Sequence, residues 1–228
     1  MKKLIYLSAL CAAIVFSSCS KRSDKIEEKE SSKKEVSQSF IDLRLAADLS
    51  KYGYTNNAPL ALIQAAQIVS KYQSKELKLV ASKNIEGPKN NLSDKKGKVE
   101  IETEKLIADA KAMASDNPNL LNLIGSLTES SRGAVYGPAR IYCSVKANDW
   151  GSCLVAFVAG ELAEVAAIGD GDTDLDLYIY DSNGNLIAKD DDYTDRCYVS
   201  WVPRWTGNYI VKVVNRGGVY NNFILATN

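Results

Sequence analysis

The sequence predicts an α+β multidomain protein, a small N-terminal helical bundle followed by a C-terminal antiparallel β-sandwich. The sandwich reads as jelly-roll-like, with about eight strands. Three observations carry this. Apolar residues recur at helical spacing through residues 39–133. Short alternating runs separated by turn residues fill 139–228. At the centre of that half lies GDGDTDLDLYIYD, an acidic loop running into a strand.

In that strand, residues two apart share a face. Leu175, Leu177 and Ile179 therefore point to the core, and Asp174, Asp176, Tyr178 and Tyr180 point away. Asn183-Gly184 follows, a strong hairpin signal. With those two residues at the centre of the turn, Asp176 faces Asp191 and Asp174 faces Tyr193. The run Asp190, Asp191, Asp192 then folds back beside Asp170, Asp172, Asp174 and Asp176. Like charges placed opposite each other are destabilising, so these seven aspartates are the candidate ligands of a hard, oxygen-seeking cation, calcium. The competing reading is a solvated acidic rim whose carboxylates accept turn N–H groups.

The chain has 228 residues, is 46% hydrophobic and has zero net charge. Neither half is basic enough to imply a nucleic-acid partner. There is no histidine. That removes Ser-His-Asp and Cys-His catalysis and His-ligated zinc. A carboxylate-pair hydrolase using Asp176 with Asp191 is the remaining catalytic alternative, and the reading taken here is of a protein that is not an enzyme.

Residues 1–19 form an export signal. Lys2 and Lys3 precede an apolar run over 4–16, too short for an ordinary membrane span. It ends Phe16-Ser17-Ser18-Cys19, which resembles the bacterial lipoprotein signal, with Phe16 where Leu is usual. The resemblance implies acylation of Cys19 (palmitate among the acyl groups), and Ser20 implies outer-membrane delivery. The protein is then expected to be a lipid-anchored lipoprotein of the bacterial cell envelope. Residues 20–38, charged and Ser-rich, read as a disordered tether.

Within 39–133 the expected helices begin near Phe40, near Asn56-Asn57-Ala58-Pro59, near Glu100 and at Asp116-Asn117-Pro118. A polar loop spans 83–98, and Ser130-Ser131-Arg132-Gly133 and Gly137-Pro138 mark the boundary to the β part. Strands are expected at 140–147, 153–158, 162–168, 174–180, 186–188, 197–201, 209–214 and 219–226. Tyr209, Val211 and Val213 are placed inside, and Trp201 and Trp205 read as core or corner residues. Cys143, Cys153 and Cys197 are an odd set in an oxidising compartment, and one disulfide among them is expected, its pairing open. A four-residue turn at 148–151 would pair Cys143 with Ala156.

GDGDTDLDLYIYDSNGNLIAKDDD, CYVSWVPRWTGNYIVKVVN and VYNNFILATN together resemble the bacterial pre-peptidase C-terminal domain over most of 139–228. That resemblance implies a calcium-associated β-sandwich of the kind appended to secreted proteases and collagenases, some of which bind matrix or polysaccharide. It places Asp174 and Asp176 in the family's DxDLxL element and Asp190, Asp191 and Asp192 in its second acidic run. No peptidase accompanies it here. The helical part, with LRLAADLSKYGY and ALIQAAQIVSK, is similar to uncharacterised bacterial proteins, which implies no activity. The expected function is binding of a glycan, peptide or protein partner. An envelope scaffold without a soluble ligand is the alternative.

Overall fold

Proline and turn residues mark several of the element boundaries. The structure, a computed structural model, describes residues 35–77, 81–83, 98–115, 117–129 and 135–228. The export signal, Cys19, the tether up to residue 34, most of the 83–98 loop and the Ser130–Gly133 boundary lie outside the described residues. Helices α1 (Gln38–Thr55), α2 (Pro59–Val69), α3 (Thr103–Ala114) and α4 (Pro118–Glu129) form where the sequence signals them. Proline opens α2 and α4, a position where its missing N–H is not needed. The Asn117 side chain accepts from the Asn119 and Leu120 amides at 3.1 and 3.3 Å and caps α4. No described helix is long and apolar enough to cross a membrane.

The strands are β1 (Tyr72–Glu76), β2 (Ala81–Lys83), β3 (Val135–Val145), β4 (Trp150–Phe157), β5 (Ala163–Gly169), β6 (Leu175–Tyr180), β7 (Leu186–Asp190), β8 (Arg196–Trp201), β9 (Gly207–Asn215) and β10 (Asn221–Thr227). They make two five-stranded sheets, sheet A in the order β1-β3-β10-β5-β8 and sheet B in the order β2-β4-β9-β6-β7. All eight expected strands are present. Two more, β1 and β2, come from the segment read as helix and loop. Each is short and polar, with no apolar alternation to announce it, and is held by pairing to an edge. β1 lies parallel to β3 and β2 antiparallel to β4.

Gly137-Pro138 falls inside β3 instead of at a boundary. The ladder to β1 shifts register there, and a bulge is where a strand tolerates proline's missing donor. Gly137 also lets the chains close up, since a Cβ on it would lie 2.7 Å from the Tyr72 Cβ.

Leu175, Leu177, Ile179, Val211 and Val213 are fully buried between the sheets, with Phe223 and Leu225 from the other side. The inward set read from alternation is therefore the observed one. The expected separate helical bundle is not what forms. The helices' buried stripe, including Phe40, Leu43, Leu62, Ile63 and Leu106, shares a second core with Ala166, Ile168, Ile224 and Ala226 on the outer face of sheet A. All described residues belong to one compact unit of three layers: helices, sheet A, sheet B.

Polar groups trapped between helices and sheet A are matched in tyrosine–carboxylate pairs. Tyr142 on β3 donates to Glu100, which also accepts from the Ile101 and Glu102 amides at 3.0 Å and pairs with Lys105 at 2.6 Å. Tyr198 on β8 donates to Glu164 on β5 at 2.5 Å, and Tyr72 on β1 to Asp42 on α1 at 2.6 Å. Arg196 on β8 donates to Asp48 on α1 at 3.0 Å. Burial opposes the Glu100 charge, but hydrogen bonds from Lys105, Tyr142 and the Glu102 amide outweigh it and hold the carboxyl below its ordinary value.

A depressed carboxyl adds stability above its unfolded pKa and loses it as pH falls through the folded one. Chemical denaturation of Tyr142→Phe should therefore show a loss of about 1–2 kcal/mol at pH 7, as expected for a buried hydrogen bond to a charged group. The loss should shrink as pH falls through the depressed folded pKa, below which Glu100 is protonated in both states.

Candidate functional site

The hairpin that was expected to gather the aspartates is present. Leu177 faces Asp190, Tyr178 faces Lys189 and Ile179 faces Ala188, the register read from the sequence. The turn itself differs. The Asp181 amide donates to the Asn185 carbonyl at 3.0 Å, Gly184 sits at φ 82°, and a register shift after Ile179 restores the ladder. A three-residue loop closed by a left-handed glycine does this naturally. The Asp181 carboxylate accepts from the Asn183 and Asn185 amides, both at 2.8 Å, and fixes the loop.

The two acidic runs meet at one end of the sandwich, around a cleft of about 560 Å³. Its walls include Asp172, Asp174, Asp192 and Asp195 on the loops, and Arg44 and Lys51 on α1. Tyr193, 97% exposed, stands at its rim. Gly171, at φ 86°, makes room for the Lys51 ammonium; a Cβ there would lie 1.4 Å from Nζ. The helical layer thus delivers positive charge to the rim, a contribution no local pattern in the hairpin could reveal.

Most of the seven aspartates already have partners. Asp170 is fully buried and staples its loop, accepting the Asn222 amide at 3.0 Å and the Asp172 amide at 3.4 Å. Asp176, 4% exposed, accepts from Arg216 Nε at 2.6 Å and from the Tyr178 hydroxyl at 3.0 Å. Asp191 pairs with Lys189 at 2.8 Å, and that hydrogen bond holds its carboxyl below the usual range. Asp192 accepts the Thr194 amide and hydroxyl at 2.9 and 2.7 Å. Asp190 turns from the rim to accept the Tyr198 amide at 2.8 Å, tying β7 to β8 across the open edge of the sandwich. Among the described residues, no three acidic or cysteine side chains converge as a ready metal cluster.

Asp174 is different. Its Oδ1 is buried with no hydrogen-bond partner, as is Oδ2 of Asp195, a residue the sequence reading passed over. Burial first, then the charges of Asp176 and Asp192, pushes the Asp174 carboxyl above its ordinary value. Asp174 and Asp195 thus hold uncommitted oxygens beside Asp172 and Asp192 at the cleft.

Cys143, Cys153 and Cys197 are all free and buried. The four-residue hairpin that would pair Cys143 with Ala156 does not form, because the chain crosses from sheet A to sheet B between β3 and β4. Burial raises the Cys143 and Cys153 thiols to about 12, which keeps them protonated and unreactive. Trp201 packs against Phe157 and Tyr209 in the core, with ring centroids 4.8 and 5.7 Å away, and Trp205 stacks on Tyr209 at 5.9 Å.

A second surface was not singled out by the sequence. Helices cover the outer face of sheet A, and among the described residues none covers the outer face of sheet B. Register sets that face in rows. Trp150, Val214 and Asp176 form the first row, Ser152, Lys212, Tyr178 and Lys189 the second, and Leu154, Ile210 and Tyr180 the third. The Lys212 ammonium lies 4.5 Å from the Trp150 ring centroid. Tyr178 and Tyr180 stack with centroids 6.4 Å apart and planes at 28°.

No family model matches the chain, and no curated protein does. Among solved structures it is similar to the pre-peptidase C-terminal domain of a collagenase from Bacillus anthracis, at 10% identity and TM-score 0.33, covering 40% of this chain and 89% of that one. It is similar to PliG of Aeromonas hydrophila, a periplasmic inhibitor of g-type lysozyme, at 14% identity and TM-score 0.33, covering 40% and 84%. It is also similar to a carbohydrate-binding module from Cellvibrio mixtus lichenase 5A, solved with cellotriose, at 13% identity and TM-score 0.25, covering 40% and 86%. The chain is a β-sandwich protein with a helical layer on one sheet.

A raised carboxyl destabilises the fold above its folded pKa, and the penalty disappears once pH drops below both folded and unfolded values. In chelator at pH 7, Asp174→Asn should raise the melting temperature by roughly 1–2 °C, about the size of a small surface gain in a domain of this length. Calorimetry at pH 3 should show no such gain.

Proposed function

We propose that this is a non-catalytic binding protein of the bacterial envelope, of pre-peptidase C-terminal type in its sandwich and anchored through lipidated Cys19. The outer membrane is its proposed location. The observation that carries the binding reading is the asymmetry of the sandwich, with one sheet roofed by helices and the other bearing fixed aromatic and charged side chains on a bare face. Against the hydrolase alternative, Asp176 is ion-paired with Arg216 and Asp191 with Lys189, so neither stands as a free acid or base. Calcium belongs to the proposal at the rim cleft. The unsatisfied oxygens of Asp174 and Asp195 support it, and calcium accepts six or more oxygen ligands in irregular arrangements.

Affinity capture of the full chain with envelope fractions tests the binding reading. A partner should be retained by the wild type and lost on Tyr180→Ala; retention by that variant would place binding elsewhere. Calcium should raise the melting temperature, by linkage worth about 2.7 kcal/mol at a hundredfold excess over Kd, and Asp174→Asn should abolish that response. Equal melting in calcium and in chelator would reject the ion. Cys19→Ala should move the protein from the membrane to the soluble fraction on fractionation.

A further inference from the structure

We infer that the bare face of sheet B binds an acidic polysaccharide, with Lys212 reading the uronate carboxylates. This rests on the binding reading above and narrows it to a ligand class.

Lys212 lies on β9, between β4 and β6, opposite Ser152 on one side and Tyr178 on the other. The Trp150 ring holds its ammonium by cation–π attraction, which positions the charge without neutralising it. The neighbouring charges are already matched, Arg216 with Asp176 at 2.6 Å and Lys189 with Asp191 at 2.8 Å. Among the described residues, Lys212 has no carboxylate within ion-pair reach. The Lys212 ammonium is thus left for a ligand at the middle of the face.

Beside it the Tyr178 and Tyr180 rings form a stacked pair, centroids 6.4 Å apart. A pyranose presents a flat C–H face that packs against the outer ring of such a pair while its hydroxyls stay in water. The Tyr178 hydroxyl donates to Asp176 and accepts from Arg216 at 3.4 Å, so its ring is oriented before any ligand arrives. The face runs in three rows across β4, β9 and β6, which suits a linear chain. It suits a protein partner less well, because the centre of a protein interface is depleted of charge and the centre of this face carries the Lys212 ammonium.

Affinity electrophoresis of the full chain through gels containing polygalacturonate or alginate tests the inference. Methyl-esterified polygalacturonate serves as the uncharged control. The wild type should be retarded by an acidic polymer and at least tenfold less by the ester, with retardation falling as salt rises. Lys212→Gln should bind about tenfold to a hundredfold more weakly, as loss of a charge-assisted hydrogen bond predicts, with its melting temperature unchanged. Tyr180→Ala should weaken binding to acidic and esterified chains alike. Equal retardation by acid and ester, or no effect of Lys212→Gln, would overturn the acidic ligand and leave a neutral-glycan reading. Capture of an envelope protein, lost on Tyr180→Ala and without retardation by either acidic polymer, would overturn it in favour of a protein partner. No glycan retardation and no face-dependent capture would overturn both this inference and the binding reading beneath it.

Discussion

The central strands of sheet A have no side left for water, and the remaining architecture follows from that. Every residue of β5, Ala163 to Gly169, is buried. An antiparallel strand usually alternates apolar and polar residues because one face is wet; here both faces are covered. Ala166 and Ala226, with Ala46, Ala47, Ala65 and Ala66 opposite, are small enough for helices to approach closely. A layer packed that tightly must satisfy each polar group it traps. Tyrosine–carboxylate pairs do so for part of that layer, with Tyr72–Asp42 tying α1 to the sheet and Tyr142–Glu100 tying down the approach to α3, while Arg140 Nε makes a 3.5 Å ion-pair contact with Glu102.

Covering sheet A leaves the outward side chains of sheet B without a helical layer over them among the described residues. It also brings α1 to the end of the sandwich where the acidic loops meet. The repulsion that close-packed aspartates imply is relieved mostly from within the protein. Arg216 and Lys189 pair with two of them, backbone amides take three more, and Arg44 and Lys51 approach from α1. What remains is concentrated at Asp174 and Asp195, which is why the rim has a focus instead of a uniform negative charge.

Much of the fold was legible in the residues. Alternation placed Leu175, Leu177, Ile179, Tyr209, Val211 and Val213 in the core, and Asn183-Gly184 located the hairpin whose register brings Leu177 opposite Asp190. Less of the site was legible. Asp190 lies in the acidic run, yet it spends its carboxylate on the Tyr198 amide, and Asp195 sits outside the run with an uncommitted oxygen. Acidity along the chain does not say which carboxylates a neighbouring strand will use.

Local periodicity and turn chemistry, which act over a few residues, by themselves determined the helix starts, the eight main strands and the inward faces. The tertiary structure decided everything that depends on groups far apart in the chain. Strands β1 and β2 exist because an edge was there to pair with. The rim's balance of charge was set by Arg216 reaching Asp176 across 40 positions and by α1 reaching the loops, as in the Arg196–Asp48 pair across 148. Such pairings leave no period in the sequence, because their partners are chosen by the packing of layers and not by neighbours along the backbone.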